Sequence, residues 1–237
     1  MKKISRSFSS ILFLIGALLG LTLTALSVWG DLEAAAYGFQ RVGGEQLSAL
    51  NCPILMTANE TSAFSVKLTN STQGKLYPSI KTVISSYLAL PASSLTSVEL
   101  APGETKRVEW KVSPENIEFK RFILVYAGVY ASYPIPNREN TCGIFIVNLP
   151  FLNGAIITWT LVTLSLLGIS LGLYGLTQTQ GPALSGGDVT RFKLLFYLVI
   201  IGLISSFMAW WILGIIVVVV SLLLGVVVTF SFAVKKL

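Results

Sequence analysis

The sequence predicts a membrane protein of mixed class, with four transmembrane α-helices and one extracytoplasmic all-β sandwich. Three observations carry that reading. From Phe151 onward the chain is almost without charge. A second apolar run follows Lys2, Lys3 and Arg6 at the N-terminus. Between the two, apolar and polar residues alternate with a period near two, the signature of half-buried strands.

The first element is the run Ile11 to Trp29. Residues 1–30 are read as a cytoplasmic head and a first span. The alternative is a secretory signal peptide, whose apolar core is usually about 7–15 residues, shorter than this run. With no cysteine in this segment, a lipoprotein anchor is excluded.

Residues 31–150 are read as the extracytoplasmic domain. Asp31 to Leu50 suggests a short helix and a glycine turn leading away from the membrane. Phe64-Ser65-Val66-Lys67-Leu68 and Val108-Glu109-Trp110-Lys111-Val112 alternate as antiparallel strands do. Arg121 to Tyr130 and Gly143 to Val147 are further β-rich runs. Turn chemistry separates them at Asn70–Gly74, Pro91–Ser94, Ala101–Glu104 and Tyr133–Asn137. Six or seven short strands are expected, which favours a sandwich.

The Asn-ended strand Phe64 to Asn70, together with Leu100-Ala101-Pro102-Gly103-Glu104 before the alternating Arg107 to Val112, resembles bacterial immunoglobulin-like domains of the CARDB and NEW3 kind. The resemblance spans roughly residues 50–148. It implies an Ig-like fold of the sort that serves as a non-catalytic spacer, adhesion or carbohydrate-associated module. It covers neither the cysteines nor the spans, so only the fold carries over.

Cys52 and Cys142 are the only cysteines. A lone pair in an oxidising compartment reads as a disulfide. Closing a loop of this length contributes about 4–5 kcal/mol in the chain-entropy picture. Asn59-Glu60-Thr61 and Asn70-Ser71-Thr72 match the glycosylation sequon. Tyr87, Tyr126, Tyr130 and Tyr133 invite a sugar- or peptide-binding reading, with strand packing as the ordinary explanation.

Residues 151–176 form the second span, long enough for a hydrocarbon core of about 30 Å. The polar stretch 177–193 is read as a cytoplasmic loop. Residues 194–237 are then read as a transmembrane hairpin, because Leu194 to Val234 would be about 60 Å long as one helix. The bend is placed at Met208 to Ile212, where two tryptophans favour the interface. Arg191 and Lys193 flank one end of the hairpin, and Lys235 and Lys236 flank the other. Both ends therefore face the cytoplasm. In residues 31–150, ten Lys and Arg balance ten Asp and Glu, so the formal +6 of the chain resides wholly in the cytoplasmic pieces. That distribution accounts for the basic pI without nucleic acid.

Several chemistries are absent. The chain has no histidine, which removes Ser-His-Asp and Cys-His catalysis and His-based metal sites. Ser185-Gly186-Gly187 lacks the Lys-Ser/Thr of a phosphate-binding loop. No cofactor, metal or catalytic residue is called for, and no enzyme is expected. The spans carry no Asp, Glu, Lys or Arg, unlike ion and proton pathways. They do carry small-xxx-small pairs: Gly16/Gly20, Gly168/Gly172, Gly202/Ser206 and Ser221/Gly225. Such pairs let helix backbones approach closely.

The expected function is a non-enzymatic accessory or scaffold subunit of a membrane complex, in contact with lipid and with other membrane proteins or copies of itself. One rival is a surface receptor or adhesin for carbohydrate or peptide. Another is a transport component, in which Thr158, Thr160, Thr163, Ser165 and Ser170 would have to converge on one path.

Overall fold

The computed structural model describes residues 6–41, 43–86, 91–130, 136–149, 151–178 and 186–234. Tyr87, Tyr133 and the terminal lysines lie outside them. The chain divides into two compact units, one of residues 1–28 and 158–237 and one of residues 29–157.

The helical unit draws on α1 (Arg6–Ala36), α2 (Gly154–Gln178), α3 (Gly186–Phe207) and α4 (Trp211–Val234). Three of these, over Ser7–Ala36, Gly154–Gln178 and Thr190–Phe207, are long and apolar enough to cross a membrane. The fourth is apolar over Trp211–Val226. The hairpin break falls at the expected bend: α3 ends at Phe207, and Ala209 adopts a left-handed φ of 52° before α4 begins. One expectation needs correcting. The connector 177–193 is not all loop, since α3 starts at Gly186 and takes in Asp188, Arg191 and Lys193. Charges at a helix end neither break the helix nor need to lie in the hydrocarbon, so composition alone misjudged its start.

The second unit holds β1 (Glu45–Gln46), β2 (Leu50–Asn51), β3 (Leu55–Thr57), β4 (Ser62–Thr69), β5 (Ser79–Ile84), β6 (Ala92–Ser97), β7 (Thr105–Val112), β8 (Phe122–Tyr130) and β9 (Arg138–Val147). They form a six-stranded sheet, ordered β1-β9-β8-β5-β6 with β3 also on β9, and a three-stranded sheet, β2-β4-β7. The two alternating segments read from the sequence pair with each other, with Phe64 opposite Trp110 and Val66 opposite Val108. Their apolar faces meet Ile80, Ile123, Val125, Ala127 and Ile144 of the larger sheet in one core. Cys52 and Cys142 are disulfide-bonded at the edge of that core.

The unit is not purely antiparallel. β1 and β3 run parallel to β9, laid end to end along one edge of it. Segments of two or three residues are too short to show a period in sequence, which is why nine strands occur among the described residues where six or seven were expected. Pro91–Ser94, expected as a break, opens β6. Its serines suit a solvent-facing edge strand, and Ser94 shares a 2.6 Å hydroxyl hydrogen bond with Thr82 of β5. Cys142 lies within β9, which starts five residues before Gly143.

β8 is buried along nearly its whole length. Its odd-numbered residues face the sandwich core, while Phe122 and Leu124 on the other face pack against Ala34. Helix α1 therefore does not stop at Gly30. It continues to Ala36 and covers the outside of the sheet, and the first glycine with left-handed φ is Gly38. Trp29 bonds Glu33 one turn on, and its ring lies 5.6 Å from that of Phe122. Gly30 meets Gly143 backbone to backbone, and the buried Asp31 accepts the Gly143 N–H at 3.1 Å. A strand covered on both faces loses its period-two pattern, and β8 reads as a continuous apolar run for that reason.

Candidate functional site

Within the helical unit α1 is the common partner. Along its contacts with α2, Ser9, Phe13, Gly16 and Gly20 meet Gly175, Gly172, Gly168 and Ser165 in turn, so the two helices run antiparallel. The steps of four and three residues on each helix are those of a left-handed coiled-coil seam. A Cβ on Gly16 would lie 2.7 Å from the Ile169 nitrogen and 2.8 Å from the Ser165 oxygen. One on Gly172 would lie 2.6 Å from the Phe13 nitrogen. These are backbone contacts that no rotamer change relieves. Ser165 Oγ donates to the Gly16 carbonyl at 2.8 Å.

Toward α3 the register is parallel. Phe13 meets Phe192 edge to face, Gly20 meets Val199, and Ser27 Oγ donates to the Ser206 carbonyl at 3.5 Å. Gly202 faces Thr24 and Val217, so α1, α3 and α4 converge there. Ser206 and Ser205 return their hydroxyls to the Gly202 carbonyl. Ser221 is buried. Gly225 differs from the other small residues: a Cβ there would meet nothing within 4 Å. Spacing alone does not separate Gly225 from Gly16, because the motif says nothing of which face meets a neighbour.

The five hydroxyl residues of α2 do not converge. Thr158 and Ser165 are buried, whereas Thr160, Thr163 and Ser170 are exposed on the helix surface.

On the sandwich unit a depression of about 510 Å³ is lined by Ser79 and Lys81 of β5, Ser93, Ser94 and Leu95 of β6, and Tyr130 of β8. Lys81 sits between Gly128 and Leu95 in register, so the missing side chain of Gly128 leaves the floor low. Leu95 is 70% exposed. Tyr126 shares the face of β8 that carries Tyr130 but lies outside this depression. It is fully buried beside Phe39, and its hydroxyl donates to Glu139 Oε2 at 2.9 Å. That carboxylate also accepts the Gly43 N–H at 3.1 Å. The four tyrosines therefore do not act as one aromatic patch: of the two that are described, only Tyr130 lines the depression.

The sequons part company as well. Asn59 is exposed. Asn70 is fully buried, and its Nδ2 donates to the carbonyls of Gly74, Leu100 and Ala101 while its Oδ1 accepts from Thr72. Its backbone carbonyl accepts the Gly103 N–H. The strand-ending Asn and the Pro-Gly-Glu turn, distant in sequence, thus form one buried clamp. Gly103 has the left-handed φ of 73° that the turn requires. Its chemistry is structural, with both ends of the amide already used.

Among the described residues no group of three or more His, Cys, Asp or Glu could hold a metal ion.

No protein-family model and no curated protein matches the chain. Solved structures give partial likenesses to the sandwich. A cycloisomaltooligosaccharide glucanotransferase from Paenibacillus sp. matches at 12% identity over 46% of this chain and 15% of its own, with a TM-score of 0.33. A superoxide reductase (neelaredoxin) from Ignicoccus hospitalis matches at 12% identity over 48% of this chain and 90% of its own, with a TM-score of 0.32. A putative beta-galactosidase from Bacteroides fragilis matches at 12% identity over 38% of this chain and 14% of its own, with a TM-score of 0.29. The chain spans about 15% of the length of the first of these. At these scores the likenesses carry no argument about activity.

Proposed function

We propose that this chain is a non-enzymatic integral membrane subunit that holds a disulfide-clamped β-sandwich of the bacterial immunoglobulin-like kind at the outer surface, as an accessory or scaffold to partner membrane proteins or to further copies of itself. In this reading four spans cross the membrane, both termini are cytoplasmic, and residues 31–150 are external. The observation that carries it is helix α1. The same uninterrupted helix supplies the glycine seam of the helical unit and the cover of the β8–β9 surface.

The test is purification of the tagged full chain from native membranes in mild detergent, with the retained proteins identified by mass spectrometry. A stoichiometric membrane protein, or a defined oligomer of the chain itself, is the expected result. A lone monomer overturns the scaffold reading. The depression beside Tyr130 favours one second reading, a receptor or adhesin for an extended peptide or sugar. Binding to a glycan or peptide array that Tyr130→Ala abolishes would establish it. The transport alternative draws less support, because Thr160, Thr163 and Ser170 are exposed while Thr158 and Ser165 are buried.

A further inference from the structure

At one end of the six-stranded sheet, Leu55, Phe145 and Phe122 form a row across β3, β9 and β8. Trp29 packs on Phe122 and Phe145 there, with ring centroids 5.6 and 6.2 Å away, and Gly154 packs on the Leu55 backbone. Glu60 accepts the Gly154 N–H at 2.7 Å and so caps the start of α2. Both connections to the helical unit, at 28–29 and 157–158, therefore leave the domain from this end.

Two exposed features lie just beyond the row. The first is the tight turn before β8, closed by the Glu118 and Phe122 backbone pair. Phe119 and Lys120 at its tip have φ of 49° and 59°, a conformation that usually selects Asn-Gly. Here it presents Phe119 at 59% exposure, with Lys120 and Arg121 also exposed. Tyr37 steadies the turn, its hydroxyl donating to Glu118 Oε2 at 3.5 Å. The second feature is the segment after β9, where Leu149, Phe151 and Leu152 are 44%, 94% and 46% exposed. The opposite end differs: its turns, Asn70–Gly74 and Ala101–Glu104, carry no exposed large apolar side chain.

Bulky apolar groups beside cations, grouped where the chain leaves for two apolar helices, match the chemistry of a lipid headgroup region. Phe and Leu side chains insert at the boundary of headgroups and acyl chains, while Lys and Arg reach phosphate with their stems in apolar surroundings. We propose that the Glu118–Arg121 turn of the external domain, together with Leu149, Phe151 and Leu152 at the start of the second span, forms a lipid-contacting surface, with Phe119 and Phe151 seated in the interface and Lys120 and Arg121 against lipid phosphates. This rests on the reading above that the helices span a membrane.

The test uses full-length protein in phosphatidylcholine nanodiscs, spin-labelled one site at a time at Phe119→Cys, Lys120→Cys, Phe151→Cys and Gln73→Cys. Cys52 and Cys142 are bonded to each other and do not take the label. Power saturation with oxygen and with a water-soluble nickel chelate then gives the depth of each site. The expected result is a lipid-like shift at 119 and 151, a headgroup-depth reading at 120 and a water-like reading at 73. Water-like readings at 119 and 120 with a lipid-like one at 151 overturn the inference and leave the membrane reading standing. A water-like reading at 151 as well overturns both. Protection of 119 from both reagents points to a protein partner on this turn and also overturns it.

Discussion

The helical unit and the sandwich are packed by opposite means. In the sandwich, large side chains fill the core: Phe64 is fully buried and stacked 5.4 Å from Trp110, with Ile, Val and Leu around them. In the helical unit the tightest contacts are made by residues with almost no side chain, Gly16 on Gly168 and Gly172 on Phe13. Water supplies the driving force in the first case, because each buried side chain removes apolar area from it. Under the proposed membrane reading lipid replaces water there; lipid tails are as apolar as leucine, so helix association would gain mainly from close approach and interhelical hydrogen bonds.

The sharpest way to break this comparison is Phe64→Ala, which should cost the sandwich about 3–5 kcal/mol. A shift of denaturation midpoint limited to the sandwich, read in detergent by chemical unfolding, is the expected outcome, and a loss under about 1 kcal/mol would deny that this core is the main support. Next in size is Cys52→Ser with Cys142→Ser, expected to lose about 2–5 kcal/mol. Reductant should then have no further effect on the double variant while it destabilises the parent. Asn70→Ala should cost about 1–3 kcal/mol, because it removes the donor shared by the Gly74, Leu100 and Ala101 carbonyls of two turns, the Leu100 bond being buried. Thermal unfolding measures it, and an unchanged midpoint would remove the clamp.

The pair of glycine variants is the most discriminating. Gly16→Ala should destabilise the helical unit by about 1–3 kcal/mol through overpacking. Gly225→Ala, with open space at its Cβ, should be neutral or gain up to about 1 kcal/mol from helix propensity. Opposite signs are expected in detergent unfolding. Equal signs would mean that propensity, not contact, decides at both positions.

The sequence alone determined the elements that rest on local pattern. The apolar runs marked the helices, the tryptophan pair near Ala209 marked the hairpin bend, and period-two alternation marked β4 and β7. The single pair of cysteines, Cys52 and Cys142, pointed to their bond. Local pattern was enough because composition along a short stretch sets whether it is buried on one face, on all faces or on none. The tertiary structure decided everything that depends on a neighbour remote in the chain. It carried α1 past Asp31 onto β8, since Ala34 finds Phe122 and Leu124 there. It turned Asn70 from a candidate glycosylation site into a buried clamp. It singled out Gly16 and left Gly225 open, and it brought the Phe119 turn to the end of the sheet where the chain departs. Spacing can mark a residue as small, apolar or exposed, but which surface it meets is set only when segments far apart in the chain pack together.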